Sequence, residues 1–155
     1  MKVKEIMTTP VVAAHADSSV SSVAGLLRGR RISAVPITDD DGAVLGLVSE
    51  YDLLAKQGKS ASDIMTRAVI TVTEDTEVDD VRVLLVDRRI RRVPVVAGGK
   101  LVGIVSRSDI VGLLASEWVC EVCGESWRGD SPPEQCPKCS AGPDRFTIQT
   151  QLPGA

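Results

Sequence analysis

Sliding this chain of 155 residues along itself by 58 brings Ile6-Met7-Thr8 onto Ile64-Met65-Thr66 and Val11 onto Val69. The register holds through Asp17/Asp75, Val20/Val78, Val23/Val81 and Leu26-Leu27/Leu84-Leu85. It continues across Arg30-Arg31-Ile32/Arg88-Arg89-Ile90 and Val35-Pro36/Val93-Pro94. The offset then becomes 57, matching Gly46/Gly103, Val48-Ser49/Val105-Ser106 and Asp52/Asp109. The one-residue deletion falls between Asp39-Asp40-Asp41-Gly42 and Ala97-Gly98-Gly99, where turns tolerate a change of length. A duplication of this period means one supersecondary unit built twice, so the fold is constrained to stack or pair two copies.

Each copy reads β-α-β-β-α. A short helical lead-in ending in Ile-Met-Thr precedes a brief strand near Val11-Val12, or Val69–Thr73 in the second copy. Asp17-Ser18 and Asp75-Thr76 offer helix-capping side chains. The helices that follow place Val20, Val23, Leu26 and Leu27, or Val78, Val81, Leu84 and Leu85, at the spacing of one apolar face. Strands over Ala34–Thr38 and Val44–Val48, and over Val93–Ala97 and Leu101–Val105, flank Gly-containing turns and predict hairpins. A last helix opens at Ser49 or Ser106. Units this small bury both faces of a sheet only by packing against each other, so an α+β pair is expected, with boundaries at 1–58 and 59–116.

The repeated Gly-x-x-Ser-x-x-Asp has a chemistry of its own. Glycine in a strand admits close approach of another backbone or a ligand. A serine at a helix start stands beside free N–H groups, which favour an anion such as phosphate. The aspartate three residues on lies on the same side of the first turn and can accept from vicinal hydroxyls, as a ribose offers. Ser49/Asp52 and Ser106/Asp109 also satisfy a second reading, as caps and first-turn acids that serve only the helix.

The lead-in Ile-Met-Thr, the Val-Pro strand and Gly-hydrophobic-Val-Ser-x-x-Asp together resemble the cystathionine-β-synthase-type (CBS) domain in its tandem form, over residues 1 to about 116. The resemblance implies an adenosine-containing ligand, with aspartate on the ribose, serine on phosphate or ribose, and aliphatic side chains around adenine. It implies a site drawn from Thr8, Pro36, Ser49, Asp52, Thr66, Arg92, Pro94, Ser106, Arg107 and Asp109, and homodimers formed through the CBS pairs. Which threonine serves which aspartate stays open. Repeat 2 has Arg91-Arg92 before Val93-Pro94 where repeat 1 has Ser33-Ala34, and Arg107 where repeat 1 has Glu50. Arginine is a fixed fork of donors for phosphate and an acid repels one, so the Ser106/Asp109 site is expected to be the better phosphate holder. Arg88, Arg89, Arg91 and Arg92 equally fit a solvated basic face.

Beyond residue 116 the composition changes. Trp118, Trp127 and Phe146 are three of the four aromatic residues, and Cys120, Cys123, Cys136 and Cys139 are all the cysteines. The first 116 residues carry twenty valines and one aromatic, Tyr51. Two Cys-x-x-Cys pairs twelve residues apart can bring four thiolates to one tetrahedral ion, and four sulfurs suit zinc or iron alike. A segment of 39 residues needs such a staple. Trp118 to Gly124, then Pro132-Pro-Glu-x-Cys136-Pro-Lys-Cys139 and Phe146, resembles the rubredoxin-like module at the end of rubrerythrins, placing a metal module at 117–155. Ser140 stands where that module commonly has glycine, and the three aromatics are expected to form its core.

Several classes are excluded on this reading. The formal charge is −3, residues 1–116 are balanced at 15 acidic and 15 basic side chains, and the tail carries six and three, which disfavours nucleic acid as a partner. No apolar run reaches transmembrane length, and the N-terminus lacks the apolar stretch of a secretory signal, so a cytoplasmic protein is expected with no membrane partner. Gly58-Lys59-Ser60 is no P-loop, because Leu53 stands where that motif needs glycine. His15, the single histidine, reads as a loop residue, and no nucleophile has a base partner. The expected function is a non-enzymatic adenine-nucleotide sensor, binding AMP, ADP, ATP or S-adenosylmethionine and carrying one Fe or Zn ion. The alternatives are a nucleotide-regulated one-electron carrier of rubredoxin type and a dimeric scaffold with structural zinc.

Overall fold

The computed structural model describes residues 1–129 and 131–149. The last six residues of the tail module expected at 117–155 therefore lie outside the described residues, as does Asp130. The chain divides into two compact units, Lys2–Val105 and Ser106–Ala155 with Met1.

In the first unit, β1 (Ala14–His15) runs parallel to β2 (Ala34–Thr38), which pairs antiparallel with β3 (Val44–Ser49), giving the order β1-β2-β3. The helix α1 (Val20–Arg30) lies between β1 and β2 in the chain, and α2 (Glu50–Ala55) and α3 (Ala61–Ile64) follow β3. The second repeat copies this plan with β4 (Val72–Thr73), α4 (Val78–Asp87), β5 (Arg92–Ala97) and β6 (Lys100–Ser106), in the order β4-β5-β6. The duplication reaches the backbone: Arg31 and Arg89, 58 residues apart, take the same left-handed conformation (φ 53° and 52°) just past α1 and α4. The repeat-1 core is aliphatic, joining Val23, Leu27, Val35, Ile37, Val48, Ala61, Ile64 and Met65. The helix-face residues Val23 and Leu27 are buried, as are Val81 and Leu85 in the second copy.

Two local expectations shift. The first strands form at Ala14–His15 and Val72–Thr73, the places where a parallel partner on β2 or β5 exists, rather than at Val11-Val12 or from Val69. The helix caps are Ser19, whose hydroxyl accepts from the Ser22 N–H, and Glu77, which makes no side-chain cap. Thr76 instead turns its hydroxyl to the Thr73 N–H, closing the turn before α4.

The two repeats exchange their lead-ins. Thr8, leading repeat 1, bridges Ile104 on β6, and Thr66, leading repeat 2, bridges Leu47 on β3. At the second crossing Leu47 and Thr66 trade backbone hydrogen bonds of 3.0 and 2.8 Å. The glycines of the repeated motif permit these crossings: a Cβ on Gly46 would lie 2.7 Å from the Thr66 carbonyl oxygen, and one on Gly103 would lie 2.5 Å from the Met7 sulfur.

In the second unit, α5 (Arg107–Leu114) leads to a three-stranded sheet of order β8-β7-β9. Its strands are β7 (Glu117–Cys120), β8 (Ser126–Arg128) and β9 (Phe146–Gln149). The core of this ribbon is Trp118, Cys120, Cys136 and Phe146. Trp127, which composition places in this core, stands outside it. It lies on the short edge strand β8, every residue of which is exposed, and is 44% accessible. No helix among the described residues is long and apolar enough to cross a membrane.

Candidate functional site

The Ser-x-x-Asp motif folds as a reciprocal cap in both copies. The Ser49 N–H donates to Asp52 Oδ2 (2.9 Å) while the Asp52 N–H donates to Ser49 Oγ (3.3 Å). Ser106 and Asp109 repeat this at 2.8 and 3.4 Å. Capping chemistry is thus real at both. A cap alone has no need of burial, and here the two copies part: Asp52 is 2% accessible, whereas Asp109 is half-buried.

Asp52 is tied from three elements. Besides Ser49, its Oδ1 accepts from the Thr66 hydroxyl (3.1 Å) and from the Lys56 ammonium (2.8 Å). Burial by itself raises the Asp52 carboxyl. The hydrogen bonds from Lys56, from the Ser49 N–H and hydroxyl, and from Thr66 outweigh it and hold the group below the usual carboxylate range. A lowered folded value means Asp52 stabilises the protein above the unfolded value of about 3.9, an advantage lost as pH falls through the folded value. Urea unfolding between pH 3 and 7 will show the wild type losing more stability on acidification than Asp52→Asn, and parallel curves would refute this assignment.

These residues line a cleft of about 270 Å³. Ser49, Asp52 and Thr66 form its polar end, Ala68, Val69, Ile70 and Ile90 supply aliphatic walls, and Arg91 and Arg92 border it. Thr66 therefore serves Asp52, a pairing that follows from the Leu47–Thr66 crossing. Arg92 also lies here, in the cleft of the repeat-1 aspartate. The related positions Ala34 and Arg92 both line this one cleft, and the Arg92 guanidinium donates to Ser33 Oγ. Burial lowers the Arg92 guanidinium from its ordinary value, with Arg91 adding to the effect and Glu50 opposing it. The run of four arginines is thereby divided: Arg88, Arg89 and Arg91 are exposed, while Arg92 is half-buried.

The remaining sequence candidates fall elsewhere. Pro36 and Pro94 are fully buried in β2 and β5 and do not line the cleft, since they sit on inward positions of strands covered on both faces. Thr8 is exposed at its bridge to Ile104, and Arg107 is exposed at the start of α5. His15 lies at the end of β1, with Nε2 2.6 Å from Asp40 Oδ1. Sequence reasoning passed over Lys56 and the walls Val69, Ile70 and Ile90. The spacing of Lys56 four residues after Asp52, at the end of α2, was the available signal for the first.

The four cysteines converge, with all sulfurs within 4.8 Å of one another. Cys120 and Cys139 sulfurs are 3.6 Å apart, Cys123 and Cys136 sulfurs 3.5 Å, and none is in a disulfide. Four sulfurs about 2.3 Å from one tetrahedral ion stand roughly 3.8 Å apart, so the donor set fits a single metal ion. Two matched turns hold it. Gly124 N–H donates to the Cys120 carbonyl and Ser140 N–H to that of Cys136, at 2.8 and 2.9 Å. Gly124 and Ser140 both have positive φ, 77° and 61°, so serine takes the left-handed conformation that glycine normally supplies. At Cys136 burial opposes ionisation, but N–H groups of Cys139 and Lys138 and the neighbouring thiols outweigh it and bring the thiol down to about 7. At Cys123 the Glu125 N–H favours the thiolate, yet burial and the three neighbouring thiols prevail and push it up to about 12. Crowded thiols of this kind ionise together only around a cation.

Residues 3–59 and 61–116 each match the CBS domain family, and residues 118–147 match the rubrerythrin, rubredoxin-like domain. Among curated proteins, L-aspartate semialdehyde sulfurtransferase of Methanocaldococcus jannaschii is 36% identical over 119 residues, covering 74% of this chain. The chain spans only 23% of that enzyme's length. Among solved structures, the CBS domain pair of protein MJ0100 with 5-methylthioadenosine and S-adenosyl-L-methionine is 36% identical, with a TM-score of 0.69 over 74% of this chain and 96% of that one. CBSX2 in complex with AMP is 33% identical, with a TM-score of 0.68 over 71% of this chain and 93% of that one. The chain belongs to the CBS domain family, as a tandem CBS pair followed by a rubredoxin-like domain with four clustered cysteines.

Proposed function

We propose that this chain is a non-enzymatic regulatory module that binds an adenosine-containing ligand in the Asp52 cleft and carries one iron or zinc ion on its four cysteines. The observation that carries the first part is the cleft's graded lining. Ser49, Asp52 and Thr66 suit a ribose, Val69, Ile70 and Ile90 suit a purine face, and Arg91 and Arg92 suit a phosphate. Related CBS pairs in complex with AMP, 5-methylthioadenosine and S-adenosyl-L-methionine support that ligand class. The match to the sulfurtransferase spans a minor part of that enzyme, which fits a regulatory segment better than a catalytic one. The Ser106/Asp109 turn, with the same cap, takes the secondary role. On this reading the divisions 1–58, 59–116 and 117–155 are the functional ones, and the module acts in the cytoplasm as a homodimer.

Thermal unfolding with AMP, ADP, ATP, S-adenosylmethionine or NAD tests the proposal. A ligand at a hundred times its Kd stabilises by about 2.7 kcal/mol, a rise of several degrees in Tm for a domain this size. Asp52→Ala will abolish most of that rise, and Asp109→Ala will remove less. The absence of a shift with all five compounds at millimolar concentration would refute nucleotide sensing.

A further inference from the structure

The Asp52 carboxylate is saturated before any ligand arrives. A carboxylate offers about four acceptor positions. Oδ2 takes the Ser49 N–H and the Ser49 hydroxyl, at 2.9 and 3.0 Å. Oδ1 takes the Thr66 hydroxyl at 3.1 Å and the Lys56 ammonium at 2.8 Å. A ribose hydroxyl can therefore bond to Asp52 only by displacing one of these donors. Ser49 belongs to the cap of α2, and Thr66 is fixed by its two backbone bonds to Leu47. Lys56 alone stands on a flexible stem, with its side chain 38% accessible, so its ammonium can leave Asp52 and be solvated or re-paired.

We propose that Lys56 makes this cleft selective for phosphate-bearing nucleosides over uncharged ones, by occupying Asp52 until an anion draws its ammonium away; the inference rests on the reading of the cleft as a nucleoside site. With an uncharged nucleoside, the exchange replaces an ion pair at Asp52 with a hydrogen bond from an uncharged hydroxyl, and the ammonium gains no new anion. With a phosphate, the released ammonium joins Arg91 and Arg92 around the new negative charge, and the lost ion pair is made good. The selection belongs to repeat 1: where Lys56 stands four residues after Asp52, the buried Leu113 stands four residues after Asp109.

Calorimetric titration of the full chain in an Asp109→Ala background reads the first cleft, with AMP and adenosine as probes. The parent will prefer AMP. Lys56→Met will bind adenosine more tightly and AMP no better, so the preference falls about tenfold, a change of about 1.4 kcal/mol. Lys56→Arg, which keeps the charge, will retain it. If both probes bind and Lys56→Met leaves their ratio unchanged, the role of Lys56 is overturned while the cleft assignment stands. Failure of both probes to bind the parent overturns the cleft assignment, and Lys56 with it.

Discussion

Removing the metal with a chelator, or replacing Cys120 by serine, will unfold the ribbon β7–β9 while leaving the sheets β1-β2-β3 and β4-β5-β6 intact. The ribbon has strands of only four, three and four residues. Its buried core is two aromatics and two cysteines. So little apolar area falls far short of the chain entropy of folding. Structural zinc in small four-ligand modules supplies roughly 10–16 kcal/mol of apparent binding free energy, and in such a segment that is its folding free energy. Without the ion, four sulfurs within 4.8 Å must stay protonated or repel one another. Both tryptophans of the protein, Trp118 and Trp127, lie in this ribbon, so tryptophan emission reports on it alone. The emission will shift to that of solvated indole on chelation and recover on adding zinc or ferrous iron under reducing conditions. An unchanged spectrum in metal-free protein would overturn the assignment. Metal analysis of the purified protein decides between iron, which allows one-electron chemistry, and zinc, which does not.

Substituting alanine for Gly46 will destabilise the first unit by about 2–3 kcal/mol, at the upper end for overpacking, and will weaken nucleotide binding with it. The added methyl would meet the Thr66 carbonyl oxygen at 2.7 Å and the Met65 sulfur at 2.9 Å. The first of these is backbone, held by a pair of hydrogen bonds to Leu47, so relief requires opening the crossing that places Thr66 on Asp52. Gly103 offers the internal control. The three atoms nearest its Cβ would all be Met7 side-chain atoms, the closest being the sulfur, and a methionine can swing aside. Gly103→Ala will therefore cost about 1 kcal/mol. Denaturant unfolding of the two variants measures the difference directly, and equal effects would mean that the Leu47–Thr66 crossing yields as readily as a side chain.

Much of this protein was legible as local pattern. The duplication, the hairpins and the Ser-x-x-Asp caps depend on residues within a few positions of each other, where spacing fixes geometry. The four clustered cysteines were legible for the same reason, since each Cys-x-x-Cys turn is self-contained. Trp127 was misplaced because composition shows that a residue is apolar but not whether its strand lies at an edge. The first strands were set too early because a two-residue strand exists only where a partner strand meets it.

The sequence by itself determined two copies of a β-α-β-β-α unit, a capped aspartate in each, and a four-cysteine cluster at the end. Only the tertiary structure decided how those aspartates differ. Thr66 reaches Asp52 from 14 positions away, and Arg92 reaches Ser33 from 59. The first contact follows from the exchange of lead-ins and the second joins β5 to the residue before β2, pairings over long sequence separation that no local spacing encodes. The cleft so formed also sets Arg91 and Arg92 of repeat 2 beside the aspartate of repeat 1. The copy whose own sequence lacks arginines directly before its Val-Pro strand thereby has two of them at its cleft.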